Sequence, residues 1–425
     1  MIFGFALLLT AVIATAQDSP MFRGNAEHTG VYPGSNKTAP LNVKWKFEAK
    51  GRIIGSPAVA GGAVYFGSAD QYFYAVDQNT GAEKWKFPTE GIITSSAAVA
   101  DGTVYFGSYD GNFYALNAAD GKLKWKFATG GERRYAAKHI HGIDPPAETM
   151  PDYWDFYLSS PVVVNGIVYF GSGDTNIYAL NASDGSVKWK FKTGEVVHSS
   201  PAFHDGVIFV GGFDTYFYAI DATTGKERWK FKTPEDHEIH NQEGITSSPA
   251  VMDGVVYFGC RFAMLYALDE KTGKQRWAHP GNRGWVSMSP AVHDGKVYLA
   301  SGSDKKFDIL DARSGQSLFS ATLSGGVFSS PVIVGDTALL ATFDDKVHAF
   351  DLKANKESVV FSSTTPEEAA ERAARPKLND VNGFYDERVA AMVGRMRDGI
   401  FLSTPAVVDD VVFIGSTNGT MYALQ

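Results

Sequence analysis

The chain has 425 residues, 44% hydrophobic and 20% charged, with a formal net charge of −8. That composition belongs to a folded protein, and the acidic balance lacks the basic footprint of a nucleic-acid partner. A single cysteine, Cys260, excludes a disulfide framework, so stability must come from an apolar core, which a chain of this length can bury.

Residues 1–16 read MIFGFALLLTAVIATA. An apolar run that ends in a small-x-small step predicts a signal peptide cut before Gln17. The run is shorter than the roughly 20 residues of a membrane span, and no cysteine follows the cleavage step to take a lipid. A periplasmic or secreted protein that does not span the membrane is expected. Residues 17–41 form a lead-in segment, and a repeat fills residues 42–425.

The repeat unit is seen in residues 56–87, SPAVAGGAVYFGSADQYFYAVDQNTGAEKWKF. Its first landmark, a Ser-Pro-like step, recurs at Pro57, Ala97, Pro161, Pro201, Pro249, Pro290, Pro331 and Pro405. Each is followed ten residues later by Gly or Ala: Gly67, Gly107, Gly171, Gly211, Gly259, Ala300, Ala341 and Gly415. Asx-Gly pairs such as Asp101-Gly102 and Asn165-Gly166 separate two apolar runs and supply the positive φ angles of a tight hairpin. A second turn, Thr80-Gly81 in the first unit, precedes a strand carrying Trp. Four strands in a unit of about 40 residues predict a propeller blade. The fold expected is all-β: an eight-bladed β-propeller of four-stranded antiparallel blades. The eighth unit stops before its Trp strand, and VKWKF at 43–47 supplies the missing one, so an N-terminal strand closes the ring and removes an open sheet edge.

Ala75, Asp77, Thr80, Gly81 and Trp85 match the A-x-D-x-x-T-G-x-x-x-W pattern, as do Ala219, Asp221, Thr224, Gly225 and Trp229, and Ala267, Asp269, Thr272, Gly273 and Trp277. On these residues the chain resembles the PQQ-like repeat family. The resemblance implies that Trp45, Trp85, Trp125, Trp189, Trp229 and Trp277 dock neighbouring blades. A buried indole needs an acceptor for its N–H, which the next blade's backbone can supply. Phe319 and Val359 stand at the Trp position of blades 6 and 7, where weaker packing is expected.

Repetition is an internal control: positions that only build blades should look alike, so departures are informative. Three insertions, 130–158, 233–245 and 364–400, all join a Trp strand to the next Ser-Pro step and therefore crown one face. The first carries Arg133, His139, His141, Trp154 and Tyr157. Its aromatic residues are either a small core pinning the insertion or a recognition surface. The second carries His237 and His240 among carboxylates. Neither His pair has a third ligand of clear spacing, and no metal site is assigned. The third begins Thr365-Pro366-Glu367-Glu368, a helix start, and a short helical insertion is expected there. Before the Ser-Pro steps the residues are mostly apolar, with Arg52, His198, Arg283 and Trp285 as exceptions. In blade 5, Cys260-Arg261-Phe262 replaces the usual Asp turn. Arg52, Arg261 and Arg283 suggest a mouth that attracts a small anionic ligand.

The expected function is an exported, non-enzymatic and monomeric propeller. It would serve as a scaffold for an envelope protein or bind a small anion, as implied by resemblance to the propeller subunits of the outer-membrane β-barrel assembly machinery. The same repeat also implies a second reading, a quinoprotein alcohol or sugar dehydrogenase holding PQQ and calcium at the channel mouth. A hydrolase or lyase using His139, His198 or His240 is a third. No nucleophile motif selects it, and no catalytic residue is assigned.

Overall fold

The computed structural model describes residues 18–142, 145–281, 285–302, 304–363 and 400–425. The expected signal peptide, the helices expected within 364–400, and Arg283 lie outside the described residues.

Eight sheets form an eight-bladed propeller. Blade 1 runs outward from the channel through strands Ala58–Ala60, Ala63–Gly67, Tyr72–Asp77 and Glu83–Pro88. The inner hairpins are possible because both turn residues take positive φ, as at Asp101 (47°) and Gly102 (67°). Blade 8 is composite: Val43–Glu48 pairs antiparallel with Thr420–Leu424, setting Trp45 opposite Ala423. No described helix is long and apolar enough to cross a membrane.

Adjacent blades are joined at two radii. At the rim, the Trp85 indole donates to the Ala118 carbonyl of the next blade (3.0 Å). Trp45, Trp125, Trp189, Trp229 and Trp277 do the same toward Gln78, Ala182, Ala222, Glu270 and Ala312. Each indole lies against the turn glycine of that blade. A Cβ on Gly81 would come within 2.7 Å of the Trp45 ring, and φ there is +72°, so glycine is required twice over. Near the axis, the amide of each Ser-Pro-step residue donates to the hydroxyl of its neighbour. The cycle runs Ser56, Ser96, Ser160, Ser200, Ser248, Ser289, Ser330, Thr404 and back to Ser56, each bond 2.9–3.0 Å.

Blade 7 departs from the expected alignment. Elsewhere a bulge precedes the Trp position, but here Ala349 pairs with Ser358, and Val359 falls opposite His348. Val359 therefore faces out, 47% exposed, and contributes no inter-blade contact of the Trp kind. In blade 6, Phe319 keeps the Trp register opposite Ile309.

The lead-in segment is more than a connector. It circles the hairpin end of the channel and pairs with one inner strand after another. Ser19 exchanges two backbone hydrogen bonds with Val59. The carbonyls of Pro20, Ala26, Glu27, Thr29 and Gly30 then accept the amides of Val99, Phe203, Val251, Val292 and Ile333. Val31–Tyr32 adds a fifth, parallel strand to blade 7, and Lys37 reaches Asp410 of blade 8 (2.9 Å). The Arg23 guanidinium, 1% exposed, donates to the carbonyls of Pro331 (2.6 Å) and Pro290 (2.8 Å). Inner-strand amides that would face an empty channel are thus satisfied by the chain itself.

Candidate functional site at the capped mouth

The first insertion enters the opposite end of the channel and fills it, where the sequence reading had it only surrounding the opening. A short hairpin, Ala136–Lys138 with Thr149–Pro151, leads into Asp152-Tyr153-Trp154-Asp155-Phe156-Tyr157. Apolar side chains anchor this run. Tyr153 and Phe156 are buried with Ile54, Ile400 and Leu402, the residues that precede Ser-Pro steps of blades 1 and 8. Tyr157 spans the mouth, its hydroxyl donating to the Leu402 carbonyl (2.7 Å), with the Phe328 carbonyl 3.2 Å away. Trp154 stacks on Phe328 at 5.3 Å, which stacks on Phe343 at 4.7 Å.

Two fully buried carboxylates organise the cap. Asp152 is ion-paired with Arg261, lies 2.9 Å from His141 Nε2 and accepts the Trp154 amide (2.8 Å). Burial opposes its charge, but Arg261 and His141 hold its pKa well below the usual carboxylate range. The Arg261 guanidinium also covers the Trp285 ring at 4.2 Å. Asp155 lies 2.6 Å from His198 Nδ1 and accepts the Tyr135 amide (2.7 Å). Burial works against the His198 charge, yet Asp155, with Glu132 at 3.8 Å from Nε2, outweighs it and pushes the pKa up to about 10. Glu132 in turn accepts from the Ser172 hydroxyl and the Gly173 amide (both 2.6 Å).

The second insertion braces the first. The His141 amide donates to the Ile239 carbonyl (2.7 Å), and His141 Nδ1 lies 2.7 Å from Asn241 Oδ1. Glu243 accepts the Tyr135 hydroxyl (2.7 Å). It also holds His240 (2.7 Å) and, more loosely, the exposed His237 (3.3 Å), which pairs with Glu235 (2.8 Å).

Of the residues singled out in the sequence, His141, Trp154, Tyr157, His198, Arg261 and Trp285 therefore meet at the cap. Arg52 stays apart, its guanidinium directed to the Thr417 carbonyl (3.5 Å), and Arg133 pairs with Glu195 at the rim. His139 is half-buried beside the hairpin. The anion-attracting mouth is not what Arg261 makes, because its charge is committed to Asp152. The Cys260 thiol is core, 1% exposed and pushed up to about 11 by burial, so it is not a reactive group. The sequence reading missed the carboxylates Glu132, Asp152 and Asp155. Two Asp inside an aromatic run, DYWDFY, were the available signal.

Two small adjoining cavities of ≈ 50 Å³ and ≈ 30 Å³ remain. The larger, between cap and lead-in, is lined by the axial hydroxyls, with Phe22 below and Tyr157 and His198 above, and the smaller lies within the cap itself, beside Trp154, Arg261 and Trp285. Such volumes take a few waters and no tricyclic cofactor. Among the described residues no group of three or more His, Cys, Asp or Glu side chains is arranged to hold a metal ion.

The fold has many solved relatives. BamB from Moraxella catarrhalis is 16% identical, with 91% of this chain and 99% of that one covered, TM-score 0.66. A europium-containing methanol dehydrogenase is 16% identical over 95% of this chain and 91% of that one, TM-score 0.70. Quinohemoprotein alcohol dehydrogenase from Comamonas testosteroni is 15% identical over 96% and 80%, TM-score 0.69. At these identities the likeness is one of fold alone. No curated protein sequence matches the chain. The family model described as outer membrane protein assembly factor BamB matches residues 37–144, 152–358 and 218–425, and the chain belongs to that family.

Proposed function

We propose that the protein is an exported, non-enzymatic propeller that serves as an interaction scaffold in the cell envelope, with the face bearing the insertions as its partner surface. The observation that carries this reading is the closure of the channel at both ends by the chain's own segments. Arg261 and His198 are neutralised inside the cap by Asp152 and Asp155, so their chemistry is turned inward and the loops are displayed outward. A partner belonging to an outer-membrane protein assembly complex is the first to test, given the family. The PQQ–calcium reading fits the residues poorly. The cavities under the cap are too small, Arg261 and His198 are committed to Asp152 and Asp155, and the described mouth assembles no oxygen-ligand cage for calcium.

The test is site-specific photocrosslinking in envelope extracts. A crosslinker at the exposed Lys138 or Glu238 of the insertions should capture one discrete protein. The same crosslinker at Asp101, on the hairpin face, should not. Equal capture from both faces, or retention of PQQ with calcium and turnover of an alcohol, would sink the proposal.

A further inference from the structure

We infer that a groove beside the cap is a saccharide site that prefers an acidic sugar, a function beyond the scaffold role. The groove, ≈ 460 Å³, has the size of a small-ligand site. One wall is the slab made by Trp154, Phe328 and Phe343. A second is Trp285, whose ring stands at 88° to Trp154 with centroids 5.9 Å apart. Two aromatic walls at a right angle make a corner. A flat aromatic ligand gains most from a slot between parallel rings, whereas a puckered sugar ring presents a C–H face to one wall and an edge to the other. Those C–H groups carry partial positive charge and suit a negative aromatic face, of which Trp154 has one taken by Phe328 and Trp285 one taken by Arg261.

The polar groups of the groove point to the same class. Asn241 faces His141 with its carbonyl oxygen, leaving the amide nitrogen as a donor, and Gln242, a second amide residue, lines the same rim. Amides carry donor and acceptor together and match vicinal hydroxyls. The exposed Lys305 supplies a cation whose Nζ has only a long 3.5 Å contact to the Ser324 carbonyl. No carboxylate is among the described residues lining the groove, so an anionic substituent on the sugar meets the Lys305 ammonium with no lining carboxylate beside it. A uronic acid combines all three features: a C–H face, ring hydroxyls and a carboxylate. For PQQ with calcium the same groove offers one cation against three carboxylates, and no carboxylate for the metal.

The experiment titrates the full chain with glucuronate, glucose, 2-naphthoate and PQQ, following tryptophan fluorescence and calorimetry. Glucuronate should bind more tightly than glucose, and both more tightly than naphthoate. Lys305→Ala should weaken glucuronate about tenfold, as expected for one charge-assisted contact, and leave glucose unchanged. Gln242→Ala should weaken both sugars. Lys305 is exposed, so its loss should not unfold the chain. The inference is overturned if naphthoate or PQQ binds more tightly than glucuronate. It is equally overturned if Lys305→Ala leaves glucuronate unaffected, or if neither sugar binds at millimolar concentration.

Discussion

The two ends of the channel are closed by different physics. At the hairpin end the lead-in segment gives and takes backbone hydrogen bonds, strand by strand, with Arg23 as its most deeply buried charge. At the other end a connector of blade 2 folds inward and is held by side-chain ion pairs, Asp152 with Arg261 and Asp155 with His198. Backbone pairing places few demands on which side chains are present. Buried ion pairs demand every partner, since a charge left alone in the interior is costly. The cap is therefore the end where one substitution matters most.

The largest effect is expected for Asp152→Asn, which leaves Arg261 buried without a counter-charge. A loss of about 3–5 kcal/mol is the usual cost, read by denaturant unfolding, with Trp154 and Trp285 fluorescence changing before the bulk of the propeller. Arg23→Met at the other end removes two bonds from a charged donor but leaves no charge behind, and should cost about 3 kcal/mol. If the two variants lose the same amount with the same fluorescence signature, the contrast between the ends is wrong.

Titration separates the ends by sign. His198 is held charged, its pKa raised to about 10. Its contribution is complete below its unfolded pKa near 6.5, declines above that, and is gone as pH passes about 10. His28, in the lead-in, is fully buried, and burial together with nearby Arg23 lowers its pKa to about 3. The unfolded chain binds that proton more readily, so this end weakens as pH falls from about 6.5 toward 3. Hydrogen exchange should show Val59 and Val251 amides losing protection first in mild acid, and Tyr135 and Trp154 amides first in alkali. Asp152 adds an acid limit to the cap only below the ordinary carboxylate range. The smallest effect is Phe319→Trp, which restores the indole to blade 6. With the Leu352 carbonyl in the equivalent place, a gain of about 1 kcal/mol in unfolding free energy is expected.

Much of the fold was legible because propeller blades are local. The Ser-Pro step, the Asx-Gly hairpin and the Trp strand all fall within one unit, and equal spacing exposed eight copies and the composite blade. Blade 7 escaped alignment because a bulge is a matter of pairing, and in Lys356–Ser362 it falls after Val359, at Val360, where the other blades have it before the Trp position. The cap was half legible. Trp154, Tyr157, His198 and Arg261 stood out as departures, but their carboxylate partners lie far along the chain. The Arg261–Asp152 pair joins blade 5 to an insertion between blades 2 and 3, and nothing periodic marks it. The lead-in was opaque for another reason: it works through its backbone, which leaves no trace in residue type.

The composite eighth blade has a consequence in time. Val43–Glu48 leaves the ribosome before any complete blade exists, and its partner Thr420–Leu424 leaves after all the others. Through the whole of synthesis this strand waits with an open edge, while seven near-copies of its true partner appear one by one. Pairing with any of them would make a smaller ring with a blade left over. The lead-in contacts inner strands of blades 1, 2, 4, 5, 6 and 7 in chain order, so it can be satisfied only by a ring with the right number of members. It acts as a tally, and a wrongly closed ring would be left with unpaired lead-in backbone, the kind of defect that proteases find.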